Sequence, residues 1–306
     1  YCRKAWGFKS LRGHHSFLLA MRADSVRASR HMAGLILYSV NPRSLGALPQ
    51  WTTAINEAER LGCNCIHLNP FHPVSAIEKH NRGGKVSGSL YALRDHFTIN
   101  PEFFGGQDQA SAWYHLRDFI KNAGARKIRV MADLVFHQLA MDHPLVASHP
   151  EFFRRNPDGG IFIAGPADDP WSDVAIINYE HPAAWQYFLG EGGYWHRLID
   201  EYVDLGFRAF RCCTVTQPPQ LVWEQILNHI LRRAPDAVIL ADTLGISRGD
   251  AGEMQETLRE ADARMIYDLA YDDVARHWDG KDATTLNQGR ADRVAAASHY
   301  GTLGFV

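Results

Sequence analysis

The sequence predicts an α/β chain with parallel strands, of the (β/α)8 TIM-type barrel class, and three observations carry that expectation. Short apolar runs recur after amphipathic helical stretches: AGLILYSV (33–40), CNCIHLN (63–69), IRVMADLVF (128–136), FRAFRCC (207–213), AVILADT (237–243), ARMIYDL (263–269) and a weaker RVAAASH (293–299). Most of them are continuously apolar rather than alternating, the pattern of parallel strands covered on both faces. No GxGxxG follows any of them, which sets a doubly wound dinucleotide-binding sheet aside.

Taken in order, residues 1–30 form a basic N-terminal segment, with Arg3, Lys4, Lys9, Arg12, Arg22, Arg27 and Arg30 set against Asp24 alone. The barrel is expected over 31–306. Its first helix is WTTAINEAERLG, with Ile55, Ala58 and Leu61 on one side and Gly62 at the C-terminal cap. QASAWYHLRDFIKNAG is expected to end in the same way at Gly124, and PPQLVWEQILNHILRR opens on prolines, which suit a first helical turn. Two connections exceed simple turns: residues 70–108, and residues 137–181, read as a small inserted loop domain. Loops that follow strands lie on the face where barrels bind ligands. The chain stops at Val306, before an eighth strand, so the barrel is expected to lack its last unit; either the chain is a fragment of a longer protein, or a partner or the N-terminal segment covers the open sheet edge.

A chain of 306 residues, 46% hydrophobic and 22% charged, can bury one large core. A formal charge of −2 supplies no overall field for nucleic acid, and no apolar run reaches the roughly 18–20 residues of a membrane span. Cys2, Cys63, Cys65, Cys212 and Cys213 contain no CxxC, which points to reduced thiols and a cytoplasmic setting. Cys63, Cys65 and His67 alternate onto one strand face, but no fourth ligand accompanies them; they read as packing residues, and neither metal nor cofactor is expected.

The strand ends carry, in order, Asn69; Asp133 with His137 and Gln138; Arg211 with Cys213; Asp242; and His299 with Tyr300. LGCNCIHLNPFHP, GSLYALRDHFTINPEFFG, MADLVFHQ, FRCCTVTQPP and ILADTLG follow one another at spacings that resemble the successive motifs of the alpha-amylase family, glycoside hydrolase family 13, from about residue 33 to 300. HPEFFRRNPDGG followed by INYEHPAAW resembles the loop domain of members close to the maltosyltransferases and trehalose-forming enzymes. The resemblance implies an α-linked oligosaccharide or glucan as ligand. It also implies a tyrosine, here Tyr91, that stacks on sugar, a supporting Asp95, and substrate contacts from Asp133, His137, Gln138, Arg211 and His299.

The catalytic positions depart from that pattern. A retaining reaction needs a carboxylate nucleophile and a carboxylic acid close together. Aligning Phe210-Arg211-Cys212-Cys213 on the fourth-strand motif puts Cys213 at the nucleophile position, and the other register, through Gly206-Phe207-Arg208, puts Phe210 there. A thiolate at Cys213, its pKa lowered by Arg211, is the nucleophile this leaves available, set against the reading of a strand-end cysteine as an inert small hydrophobe. Asp242 holds the acid/base position with a carboxyl retracted by about 1.5 Å relative to glutamate. Tyr300 replaces the stabilising aspartate, and His137-Gln138 replaces an Asn-His pair. The expected function is therefore that of an α-glucan hydrolase or glucanotransferase-like protein with strongly reduced or absent activity, or of an inactive sugar-binding or scaffold subunit.

Overall fold

The computed structural model describes residues 35–79, 85–86, 88–165, 170–215, 217–242, 266–268 and 302–303. Seven of its strands form one sheet: β1 (Leu37–Val40), β2 (Cys65–Leu68), β3 (Arg129–Leu134), β4 (Ala209–Cys212), β5 (Val238–Asp242), β6 (Ile266–Asp268) and β7 (Thr302–Leu303). Every pairing is parallel, and the spatial order is the chain order. A doubly wound sheet would reverse direction at a switch point, and this one runs a single way.

Helix α1 (Thr52–Arg60) joins β1 to β2, α2 (Gln109–Ala125) joins β2 to β3, and α3 (Pro182–Leu189) and α4 (Tyr194–Leu205) lie between β3 and β4. Helix α5 (Gln220–Arg233) leads to β5. Gly62 takes φ +72° just beyond α1, the left-handed step expected there. Helix α2 runs through Gly124 instead of ending on it, and Lys127 makes the left-handed turn at φ 59°.

The strand faces divide the chemistry. Ile66, Leu68, Ala132, Leu134, Phe210, Cys212, Ile239 and Ala241 join one apolar core with Trp51, Phe119, Trp195 and Trp223 from the helical layer. Residues of the other parity, His67, Asp133, Arg211 and Asp242, are also buried but polar, so alternation within an apolar run hides a charged face. Cys65 shares that face and Cys63 is half-buried, and among the described residues no group of side chains could hold a metal. No described helix is long and apolar enough to cross a membrane.

From the end of β3 a short antiparallel ribbon, Gln138–Ala140 with Val174–Ile176, opens the 137–181 connection. The expected seventh strand at 293–299 lies outside the described residues, as do residues 1–30, His299 and Tyr300; strand β7 begins at Thr302, beyond Tyr300.

Candidate functional site

Parallel register brings the polar face together. Asp133 on β3 and Arg211 on β4 are direct register partners, and Arg211 Nη1 donates to Asp133 Oδ1 at 2.9 Å. Arg211 Nη2 lies 2.9 Å from Oδ2 of Asp242 at the end of β5. One guanidinium thus bridges two buried carboxylates, as Arg can because its donors form a fixed planar fork. Arg208 serves the other register, but its guanidinium bonds the carbonyls of Val203 and Phe207, while Phe210 is buried in the apolar core. The arginine that reaches the carboxylates is Arg211, two residues before Cys213.

Asp133 is the hub. Its Oδ2 accepts from Tyr91 Oη at 3.0 Å and from Asn69 Nδ2 at 3.4 Å, and it lies 3.0 Å from His67 Nε2. A carboxylate only accepts, so His67 carries its proton on Nε2, and Nδ1 accepts from Ser39 Oγ at 3.0 Å. Burial would raise the Asp133 pKa, but His67 and Arg211 outweigh it and hold the carboxyl well below its ordinary value. Burial works against the charge of Arg211 too, and Asp133 and Asp242 more than restore it, so this arginine is held protonated.

Cys213 stands just past β4. Its sulfur is 3.8 Å from Asp242 Oδ2 and 3.4 Å from Thr214 Oγ1, and it packs with Leu93, Val135 and Tyr91. The expectation that Arg211 lowers its pKa is corrected: burial first, then Asp133 and Asp242, outweigh the guanidinium and push the thiol up to about 12. The next residue, Thr214, has φ 49°, a left-handed conformation that a β-branched side chain rarely takes, and its N–H points to Asp242 Oδ2 at 3.4 Å.

Tyr91 is half-buried; burial, then the Asp133 charge, pushes its phenol up, so it stays protonated as the donor to that carboxylate. Gln138 Nε2 donates to the Tyr91 carbonyl at 3.0 Å. His137 is buried, with Nδ1 unpartnered and its pKa lowered to about 4 by burial, so its imidazole is neutral. Asp95 spends its oxygens on its own loop, accepting from Phe97 N at 2.7 Å and Thr98 Oγ1 at 2.8 Å. The structure thus gathers Tyr91, Asp133, Arg211, Cys213 and Asp242, with Gln138 beside Tyr91. Sequence reasoning missed His67 as the partner of Asp133, although its place on the face of Cys65 was legible.

A second polar group lies nearby. Tyr194 Oη is 3.1 Å from His96 Nδ1 and 3.5 Å from His143 Nε2, and with Asp95, Phe97 and Arg94 it lines an open cleft of about 460 Å³. His143 Nδ1 accepts the Leu145 N–H at 3.1 Å, capping the short helix Pro144–Ser148.

Residues 30–154 match the family model described as "Glycogen debranching enzyme, glucanotransferase domain". Alpha-1,4-glucan:maltose-1-phosphate maltosyltransferases from Picrophilus torridus and Rhodospirillum rubrum are 26% identical over 218 residues and 28% identical over 222 residues. Each alignment covers 67% of this chain but only 32% and 30% of the relative, so the chain spans about a third of the length of these relatives. The alpha-amylase of Lactobacillus plantarum superposes with a TM-score of 0.62 at 23% identity, over 89% of this chain and 60% of that one. The maltogenic alpha-amylase AmyB of Thermotoga neapolitana gives 0.53 at 24%, over 68% and 46%. Over this region the chain is similar to members of the alpha-amylase family, glycoside hydrolase family 13, and it shares the fold of the solved amylases.

Proposed function

We propose that this chain binds α-linked glucan at the Tyr91–Asp133–Arg211–Asp242 cluster and that its hydrolytic or transfer activity is strongly reduced or absent. The observation that carries the reading is Cys213. The nucleophile position holds a buried thiol, protonated at neutral pH, where a retaining reaction requires a carboxylate that attacks and then steadies oxocarbenium character. Asp242, the acid/base position, turns toward Arg211 Nη2 at 2.9 Å the same oxygen that lies nearest the thiol, so that oxygen is engaged inside the cluster and not aimed at a leaving group. Tyr91, Asp133 and Arg211 form the polar floor for sugar hydroxyls, with Gln138 and His137 at its margin. His299 and Tyr300 keep their contact and stabiliser assignments from sequence alone.

Seven parallel strands in chain order support a (β/α)8-type wall over 31–306, with 137–181 as the inserted loop domain. The relatives' printed names support an α-1,4-glucan as the ligand class.

Calorimetric titration of maltooligosaccharides into wild type and Tyr91→Ala, with a reducing-sugar assay alongside, tests this. Wild type is expected to give binding heat, Tyr91→Ala less, and turnover is expected at least about 10³-fold below ordinary enzymes of the family. Turnover at ordinary rates of about 1–10³ s⁻¹ overturns the loss of activity, and no heat from either protein leaves only a scaffold.

A further inference from the structure

Strand β1 carries a hydroxyl for which the glucan reading has no use. Ser39 and His67 are direct register partners on β1 and β2, so their side chains stand on one face of the sheet, and Ser39 Oγ lies 3.0 Å from His67 Nδ1. Across the ring, His67 Nε2 lies 3.0 Å from Asp133 Oδ2. With the imidazole proton on Nε2, the lone pair of Nδ1 faces the serine hydroxyl. Asp133 is itself fixed by Arg211, Tyr91 and Asn69, so the carboxylate that orients the ring is rigid. His67 and Asp133 are buried, whereas Ser39, on the outermost strand of the described sheet, is exposed. A buried base and carboxylate therefore end on a hydroxyl that a small molecule can reach.

We propose that Ser39, His67 and Asp133 form an esterase site, with Ser39 as nucleophile, His67 as base and Asp133 as the orienting carboxylate, which hydrolyses activated esters of short carboxylic acids. Such an array is defined by geometry and roles: a hydroxyl on a basic nitrogen, and a carboxylate on the opposite N–H that fixes the tautomer and steadies the imidazolium as it forms. Here Nδ1 faces the serine and Nε2 the carboxylate, and the roles are unchanged. Ser39 Oγ bonds to the ester carbonyl carbon while its proton passes to His67 Nδ1; the carbon–oxygen bond to the leaving alcohol then breaks, and that oxygen takes the proton. Water repeats the sequence on the acyl-serine, releasing the carboxylic acid and returning a proton to Ser39. The neighbours of the pair on that face, Cys65 and Met131, are fully buried, which leaves half-buried Leu37 to receive the acyl chain and selects a short one. The reaction needs no sugar, so it stands or falls apart from the glucan reading.

The test treats the full chain with a fluorophosphonate, which loses fluoride as its phosphorus bonds to an activated serine oxygen, and maps the labelled residue by peptide mass spectrometry. Hydrolysis of para-nitrophenyl acetate and para-nitrophenyl octanoate is followed in wild type, Ser39→Ala and Ser44→Ala, with thermal melts alongside. Ser44 is the control, an exposed serine whose hydroxyl donates to the Asn41 carbonyl at 2.7 Å instead of to a histidine. The label should fall on Ser39. Wild type and Ser44→Ala should hydrolyse the acetate at least about tenfold faster than Ser39→Ala, and faster than the octanoate. A label on another residue, no label, or equal acetate hydrolysis in wild type and Ser39→Ala refutes the site and leaves the Ser39–His67 bond a packing contact. Octanoate hydrolysed faster than acetate overturns the short-acyl assignment. Should Ser39→Ala melt well below wild type, the label map on the wild-type chain decides alone.

Discussion

The sulfur of Cys213 lies 3.8 Å from Oδ2 of Asp242, the same oxygen that Arg211 meets at 2.9 Å. The thiol thus competes with a guanidinium for one carboxylate and loses, since a neutral S–H is the weaker donor. Burial and the two nearby carboxylates then keep the proton on sulfur. With the thiol pushed up to about 12, the sulfur is held as the neutral, poorly nucleophilic thiol at pH 7.

Alkylation reads this directly. Cys65, Cys212 and Cys213 are buried and their thiols are raised by burial, whereas Cys63 is half-buried. Iodoacetamide at pH 8 followed by peptide mapping should label Cys63 well ahead of the other three. Labelling of Cys213 as fast as Cys63 would show an activated thiol and reopen a cysteine nucleophile.

Asp133→Asn should destabilise the fold more than its small change in size suggests. It removes one of the two carboxylates that neutralise buried Arg211, and it takes the charged acceptor from Tyr91 and His67. Breaking a buried pair from one side costs about 3–5 kcal/mol, read from urea unfolding. A loss under about 1 kcal/mol would mean that solvent screens the cluster.

Much of this arrangement was legible in the sequence, for identifiable reasons. Apolar runs at the right spacing announced the parallel strands, and Asp133 and Arg211 could be placed at strand ends because register in a parallel sheet follows from run boundaries. The strands are shorter than the runs, 209–212 against 207–213 for β4, because apolar residues continue into the turns. What could not be read was long-range: that His67 meets Asp133 across 66 positions, and that the electrostatic balance at Cys213 favours the protonated thiol. Local geometry at Thr214 and Lys127 was equally hidden, because neither residue type advertises a left-handed backbone.

Acid should weaken the fold in a window set by histidines. Burial lowers the pKa of His72, His137 and His143 to about 4, against about 6.5 in an unfolded chain. Above pH 6.5 both states leave these rings neutral. Between 6.5 and 4 the unfolded chain takes up protons that the folded one refuses, so stability is lost as pH falls across that range. Asp133 has the same sign but acts lower, because its folded pKa lies beneath the unfolded value of about 3.9. Thermal melts should be flat from pH 8 to 7 and fall steadily to pH 4.5; a melting temperature unchanged at pH 4.5 contradicts the burial of these rings.

Restoring the carboxylates tests whether the scaffold is otherwise ready for chemistry. Cys213→Asp places a carboxylate beside Arg211, which can steady its charge, and Asp242→Glu extends the acid by about 1.5 Å toward a bound sugar. Either change alone should do little, since groups that act as a unit in catalysis fail together when one is missing. Cys213→Asp alone crowds three carboxylates around one guanidinium, and its melting temperature should drop as the repulsion is felt. Combined with Tyr300→Asp, which restores the third carboxylate position, the two changes should hydrolyse maltooligosaccharides at least about tenfold faster than any single variant. A fluorinated sugar that forms a covalent adduct at position 213 in the triple variant, and none in wild type, would place the new nucleophile where a retaining mechanism requires it. If the triple variant stays silent while still binding maltooligosaccharide, the deficit lies beyond these three positions, and the strained turn at Thr214 is the next feature to change.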